Sequence, residues 1–122
     1  MNRINAIKKI RDKLKNGKVS IGSWMQIPNG SIAEILGKSC YDWVVIDMEH
    51  GAISTCQLPD LFRALELGST LPLARISDSH SSNCKKALDA GAGGLIAPLI
   101  QSKKQLLEFR EASCWPPNGK KS

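Results

Sequence analysis

No stretch of these 122 residues approaches the roughly 20 consecutive apolar residues that a bilayer crossing needs. The start is basic, but no continuous apolar segment follows it, so a secretory leader is not expected. Cys40, Cys56, Cys84 and Cys114 lie far apart and form no Cys-x-x-Cys pair, so neither a zinc site nor a disulfide framework is signalled. A reducing cytoplasm is the expected compartment. Aromatic residues are scarce, at 5% of the chain, and none interleaves with basic residues to build a stacking platform for bases. No nucleic-acid motif is present either. Acidic residues are nearly missing from positions 1–18, where Asp12 stands alone against Arg3, Lys8, Lys9, Arg11, Lys13, Lys15 and Lys18. That segment carries the whole net charge of +6, and the rest of the chain is neutral. The charge therefore reads as the solvated face of one leader helix rather than a broad binding surface, and no nucleic-acid or membrane partner is expected.

What the chain does have is alternation. Ile4, Ile7, Ile10 and Leu14 recur at helical spacing, which predicts an amphipathic helix over 3–15, stopped by Asn16-Gly17. Residues 19–26 (VSIGSWMQ) read as a strand. Pro28-Asn29-Gly30-Ser31 is turn chemistry, and Ser31 with Glu34 forms a capping box for a helix to about Leu36, ended by Gly37. A second strand covers 42–48. Ser54 then precedes a helical stripe of Leu58, Leu61, Leu65 and Leu67, with Pro59 tolerated in its first turn. Residues 71–76 (LPLARI) make a third strand, 83–89 a short helix, 95–100 a fourth strand, and 103–112 a helix capped by Ser102. Strand–helix alternation with short connections means a parallel α/β sheet. Four such units make either a small open sheet or half of an eight-stranded barrel, which needs roughly 250 residues when whole.

The chain is organised around residues 42–51, DWVVIDMEHG. Trp43-Val44-Val45-Ile46 is apolar on both faces and rich in β-branched residues, the pattern of a buried parallel strand. Asp47, Glu49 and His50 follow at once, and Gly51 closes the run. Parallel α/β sheets present their chemistry at the carboxyl ends of their strands. The same residues also suit a solvated acidic loop. His50 is the residue type that titrates near neutrality and exchanges protons with an alcohol or enolate. A fixed guanidinium such as Arg75, delivered near the end of the third strand, suits an oxyanion. His80 reads as a surface histidine.

GSWMQ, DWVVIDMEHG, LARIS, LDAGAGGLIAPLIQS and WPPNG follow one another from Gly17 to Gly119. Through this ordered set the chain resembles the N-terminal half of the HpcH/HpaI aldolase/citrate lyase family, the class II pyruvate aldolases similar to dihydroxyheptenedioate aldolase. The resemblance implies a leader helix plus four β-α units, residues 1–122 forming half of a (β/α)8 TIM barrel. It implies cleavage of a hydroxylated 2-keto acid to pyruvate and an aldehyde, with a divalent metal (Mg, Mn or Co) in the full-length family. His50 falls at the general-base position, Arg75 at the oxyanion-stabilising and substrate-binding position, and Asp89 at the carboxylate that supports the histidine. Asp47 is expected to orient His50 or a metal-bound water, Glu49 to share that task, and Trp24 to line the substrate. No metal ligand is expected within these residues, and a homo-oligomer is expected at full length.

The resemblance has a break. Lys121-Ser122 stands where the family usually has Arg-Gly, which reads as a truncation or frameshift, and the family's metal-binding glutamate and aspartate fall in its second half. Three readings follow: an aldolase active only with that half, a catalytically inactive fragment, and an unrelated basic binding module.

Overall fold

A computed structural model describes residues 2–122. Helix α1 (Arg3–Lys15) comes first, capped by Asn2. Then β1 (Gly22–Met25), α2 (Gly30–Lys38), β2 (Trp43–Asp47), α3 (Leu58–Glu66), β3 (Leu71–Arg75), α4 (Ser81–Ala90), β4 (Leu95–Ile96) and α5 (Lys103–Ser113) alternate without exception. The four strands form one parallel sheet in sequence order, with Met25 opposite Ile46, Ile46 opposite Ala74, and Ala74 opposite Leu95. This is the expected α/β half barrel of a leader helix and four β-α units. No helix among the described residues is long and apolar enough to cross a membrane.

The pleat divides the sheet residues between two faces. Met25, Val44, Ile46, Ala74 and Ile76 join Ala33 of α2, Leu58, Leu61, Phe62 and Leu65 of α3, and Cys84 and Ala87 of α4 in one buried cluster. That is the helix-side core, and its burial is the main stabilising term. Trp24, Val45, Asp47, Leu73 and Arg75 alternate with these residues and belong to the other, concave face. α1 lies across the amino-terminal end of the sheet. Its Lys13 pairs with Asp42, just before β2, at 2.7 Å, and its Arg3 pairs with Glu66 at the end of α3.

Several boundaries differ from the sequence reading. The cap of α2 is Asn29, whose side-chain oxygen accepts from the Ser31 and Ile32 amides at 2.9 and 3.1 Å. Glu34 instead meets Lys38 one turn on, at 2.6 Å, so no Ser31–Glu34 box forms. Gly37 does not end α2. It lets α3 approach, because a Cβ there would sit 2.4 Å from the Leu65 carbonyl oxygen, and one on Gly68 would sit 1.8 Å from that of Gly37. A capping box the sequence reading did not name forms instead at Ser54, completed by Gln57. β1 and β4 are shorter than expected. Each is an edge of the sheet, paired on one side only, and beyond β4 Pro98 has no donor while Leu99 turns at a φ of 54°. Of the apolar residues on α5, Phe109 packs against the core and Leu106 and Leu107 face outward.

Candidate active site

β2 ends at Asp47, and its carboxylate is the centre of the rim. Oδ1 accepts from Arg75 Nε at 3.0 Å and from the backbone amides of Glu49 and His50 at 3.1 Å each. Oδ2 accepts from Arg75 Nη2 at 2.6 Å, Gln26 Nε2 at 2.9 Å and Trp24 Nε1 at 3.1 Å. Six donors thus meet one carboxylate with no exposed surface. Burial opposes its ionisation, but the hydrogen bonds from Arg75, Gln26, the His50 backbone and Trp24 outweigh it, and the carboxyl is held well below its usual range. The same hydrogen bond pushes the Arg75 guanidinium upward. Asp47 is therefore a fixed anion with no lone pair to spare, and not a base.

The register explains why these groups meet. Asp47 and Arg75 are direct partners across β2 and β3, so their side chains leave the same face side by side. Trp24 lies level with Val45 on β1, one alternation below Asp47, and Arg75 sits over its ring at 5.0 Å from the centroid. This is a cation–π contact that flattens the guanidinium against the wall. Gly51 brings the chain back sharply: a Cβ there would lie 2.3 Å from the Asp47 carbonyl oxygen and 3.2 Å from Gln26 Cα.

His50 projects from this turn with its side chain 67% exposed, and its Nε2 lies 3.5 Å from Glu49 Oε1. Glu49 Oε2 is buried without a hydrogen-bond partner, although Arg75 Nε lies 3.3 Å away. Nε is spent on Asp47, which leaves that buried oxygen without a donor. Asp47 fixes the His50 backbone, and the carboxylate beside the imidazole is that of Glu49. The structure thus brings Trp24, Asp47, Glu49, His50 and Arg75 together, with Pro98 beyond β4 at the same end of the parallel sheet.

Asp89 is not among them. It lies in the last turn of α4, and in a β/α alternation that turn leads to the amino-terminal end of the next strand, opposite the rim. Its carboxylate holds Lys121 Nζ at 2.8 Å instead, so within this chain it does not support His50. The sequence reading also missed Gln26. Its signals are its place at the end of GSWMQ and its position two residues after Trp24, which returns it to the same face.

These residues do not fit a divalent metal. Among the described residues no group of three or more His, Cys, Asp or Glu side chains could hold one, and the one fully buried carboxylate is saturated by donors. What the rim can do is present a guanidinium, clamped on one edge and free on the other, beside an imidazole. That arrangement suits binding of a keto or carboxylate oxygen with proton transfer next to it.

Residues 20–122 match the sequence model of the HpcH/HpaI aldolase/citrate lyase family. A hydroxypyruvate/pyruvate aldolase of Rhizorhabdus wittichii is 35% identical over 93% of this chain and 45% of its own length. A 2-keto-3-deoxy-L-rhamnonate aldolase of Shigella boydii is 31% identical over 91% of this chain and 42% of its own. A solved HpcH/HpaI aldolase/citrate lyase family protein from Burkholderia cenocepacia superposes with a TM-score of 0.84 at 26% identity, over 93% of this chain and 47% of that one. The chain spans a little under half the length of these relatives.

Proposed function

This chain belongs to the HpcH/HpaI aldolase/citrate lyase family, and on that premise we propose that its rim is the keto-acid half of an aldolase site. The substrate class is a hydroxylated 2-keto acid, cleaved reversibly to pyruvate and an aldehyde, as the relatives' names favour. The observation that carries this reading is the Asp47–Arg75 clamp. Nε and one Nη2 hydrogen go to Asp47, which leaves the Nη1 donors and the second Nη2 hydrogen for another acceptor. They are placed to hold the keto oxygen, where negative charge gathers as the carbon–carbon bond breaks.

His50 supplies the proton traffic. It removes the proton of the substrate hydroxyl, the bond between the hydroxyl-bearing carbon and its neighbour breaks, and the electron pair passes into the keto acid as an enolate. Protonation of that enolate gives pyruvate. Glu49 stands beside the imidazole, its Oε1 3.5 Å from Nε2. Trp24 lines the wall under Arg75. The family's divalent metal (Mg, Mn or Co) would have its ligands outside these residues, since the rim offers no set for it. The four free cysteines and the family favour a cytoplasmic enzyme.

That same lack of a ligand set favours a second reading for these residues by themselves, a catalytically inactive piece. One experiment separates the two. Residues 1–122 are joined to the complementary second half of the Rhizorhabdus relative and assayed for pyruvate release from a 4-hydroxy-2-keto acid with manganese. Metal-dependent release that Arg75→Lys abolishes supports the aldolase site. A folded hybrid with no release refutes it.

A further inference from the structure

We propose that Gln26 is a specificity-determining residue that accepts a hydrogen bond from a hydroxyl on the carbon next to the keto group, so that the rim prefers a 3-hydroxy-2-keto acid to pyruvate as its keto-acid half. The inference deepens the aldolase reading and rests on it.

The orientation of the Gln26 amide comes first. Its nitrogen meets Asp47 Oδ2 at 2.9 Å, and an ionised carboxylate oxygen has only lone pairs to offer. The amide must therefore turn Nε2 to Asp47, since Oε1 in that place would set acceptor against acceptor. Oε1 is thereby fixed on the other edge of a planar group. Gln26 is exposed, and among the described residues no donor meets its Oε1. It is an acceptor held in place by the fold and left for a donor from outside the chain.

The same oxygen places its neighbour. Oδ2 also accepts from Arg75 Nη2 at 2.6 Å, so the amide and the guanidinium stand within two hydrogen-bond lengths of each other. Arg75 keeps its Nη1 donors and the second Nη2 hydrogen for another acceptor. One buried carboxylate thus sets a group of donors beside an acceptor. A keto group with a hydroxyl on the next carbon is their complement: its carbonyl oxygen accepts from Arg75, and its hydroxyl donates to Gln26. The other acceptors nearby are committed. Asp47 has six donors, Glu49 Oε2 is buried, and Glu49 Oε1 lies 3.5 Å from His50 Nε2. Pyruvate carries a methyl group at that carbon and gives Gln26 no donor.

The test is a competition in the hybrid of residues 1–122 with the Rhizorhabdus second half. Equal amounts of hydroxypyruvate and pyruvate are supplied with one aldehyde and manganese, and chromatography measures the 3-hydroxy and 3-deoxy aldol products. The unsubstituted hybrid is expected to form more of the 3-hydroxy product. Gln26→Met is similar in length but lacks the carbonyl acceptor, and it should shift the product ratio toward the 3-deoxy product by roughly 3- to 10-fold, the worth of one hydrogen bond. Its lost bond to Asp47 acts through Arg75 on both keto acids alike and cancels in the ratio. Gln26→Asn draws the carbonyl back by one methylene and should shift the ratio the same way, so it carries the test if Gln26→Met fails to fold. A ratio that does not move in a folded, active variant overturns the proposal. So does an unsubstituted hybrid that makes product from pyruvate and none from hydroxypyruvate. A hybrid that makes no aldol product from either overturns the aldolase reading, and this inference with it.

Discussion

Asp47 and Arg75 are register partners on adjacent parallel strands, joined by two hydrogen bonds of 3.0 and 2.6 Å, with Asp47 fully buried and Arg75 open on one side. The anion therefore serves the cation rather than the substrate. Removing it frees a guanidinium whose remaining contacts are the Trp24 ring and Glu49. Asp47→Asn in this chain is expected to lower stability by about 3–5 kcal/mol, the cost of breaking a buried pair. Urea unfolding of the two proteins reads this directly. A loss below about 0.5 kcal/mol would mean the pair contributes no more than a surface one.

Acid should expose the same group. Asp47 has a folded pKa held below its unfolded value of about 3.9, so the unfolded state binds the extra proton first. Its contribution is complete above about pH 5 and is lost as the pH falls through the ordinary carboxylate range toward the folded value. Asp42, lowered despite its burial by its bonds with Lys13 and the Ile21 amide, acts in the same direction. Stability measured from pH 7 to pH 3 should fall, and the fall should be shallower in Asp47→Asn. An identical slope in both proteins would assign the acid sensitivity elsewhere.

In the hybrid aldolase, His50→Ala should lower turnover by roughly 10²–10⁴-fold, the range for a positioned proton-transfer group. Arg75→Lys should be severely impaired although the charge is kept, because an ammonium cannot hold Asp47 bidentately and still face a substrate oxygen. Steady-state pyruvate release with circular dichroism on each variant decides. A folded His50→Ala hybrid with near-full turnover removes the imidazole from the mechanism.

Lys121 is pinned three ways: its amide donates to the Cys114 carbonyl at 3.0 Å, its Nζ meets Asp89 at 2.8 Å, and the same Nζ lies 4.1 Å from the Trp115 ring centroid. Lys121→Ala should release the segment from 115 onward, making it the first site of limited proteolysis. Lys121→Arg should keep it docked, since a guanidinium can make both contacts. Equal cleavage rates in wild type and Lys121→Ala would show that the backbone bonds hold the segment alone.

Gly68→Ala should destabilise the chain by about 1–3 kcal/mol or more, as overpacking does, because its Cβ would collide with the Gly37 carbonyl oxygen rather than with a movable side chain. Thermal unfolding measures it. An unchanged melting temperature would mean that α2 and α3 separate at little cost.

The alternation of strands and helices, the parallel sheet and the rim of Trp24, His50 and Arg75 were legible in the sequence. Local apolar period, caps and turn residues decide an element's type, and parallel strands gather their carboxyl ends on one side. The Ser102 cap was legible for the same local reason. Tertiary structure alone decided the pairing of side chains. Asp89 stands in a family motif, yet position along a helix sends it away from His50 and gives it Lys121. Gln26 ends the GSWMQ motif, but its bond to Asp47 forms only once β1 and β2 lie in register. Gly37 looks like a helix stop until α3 packs over it. Burial and hydrogen-bond partners are set by distances across the sheet and between helices. Those distances join residues 21 to 33 positions apart, beyond what any local pattern encodes.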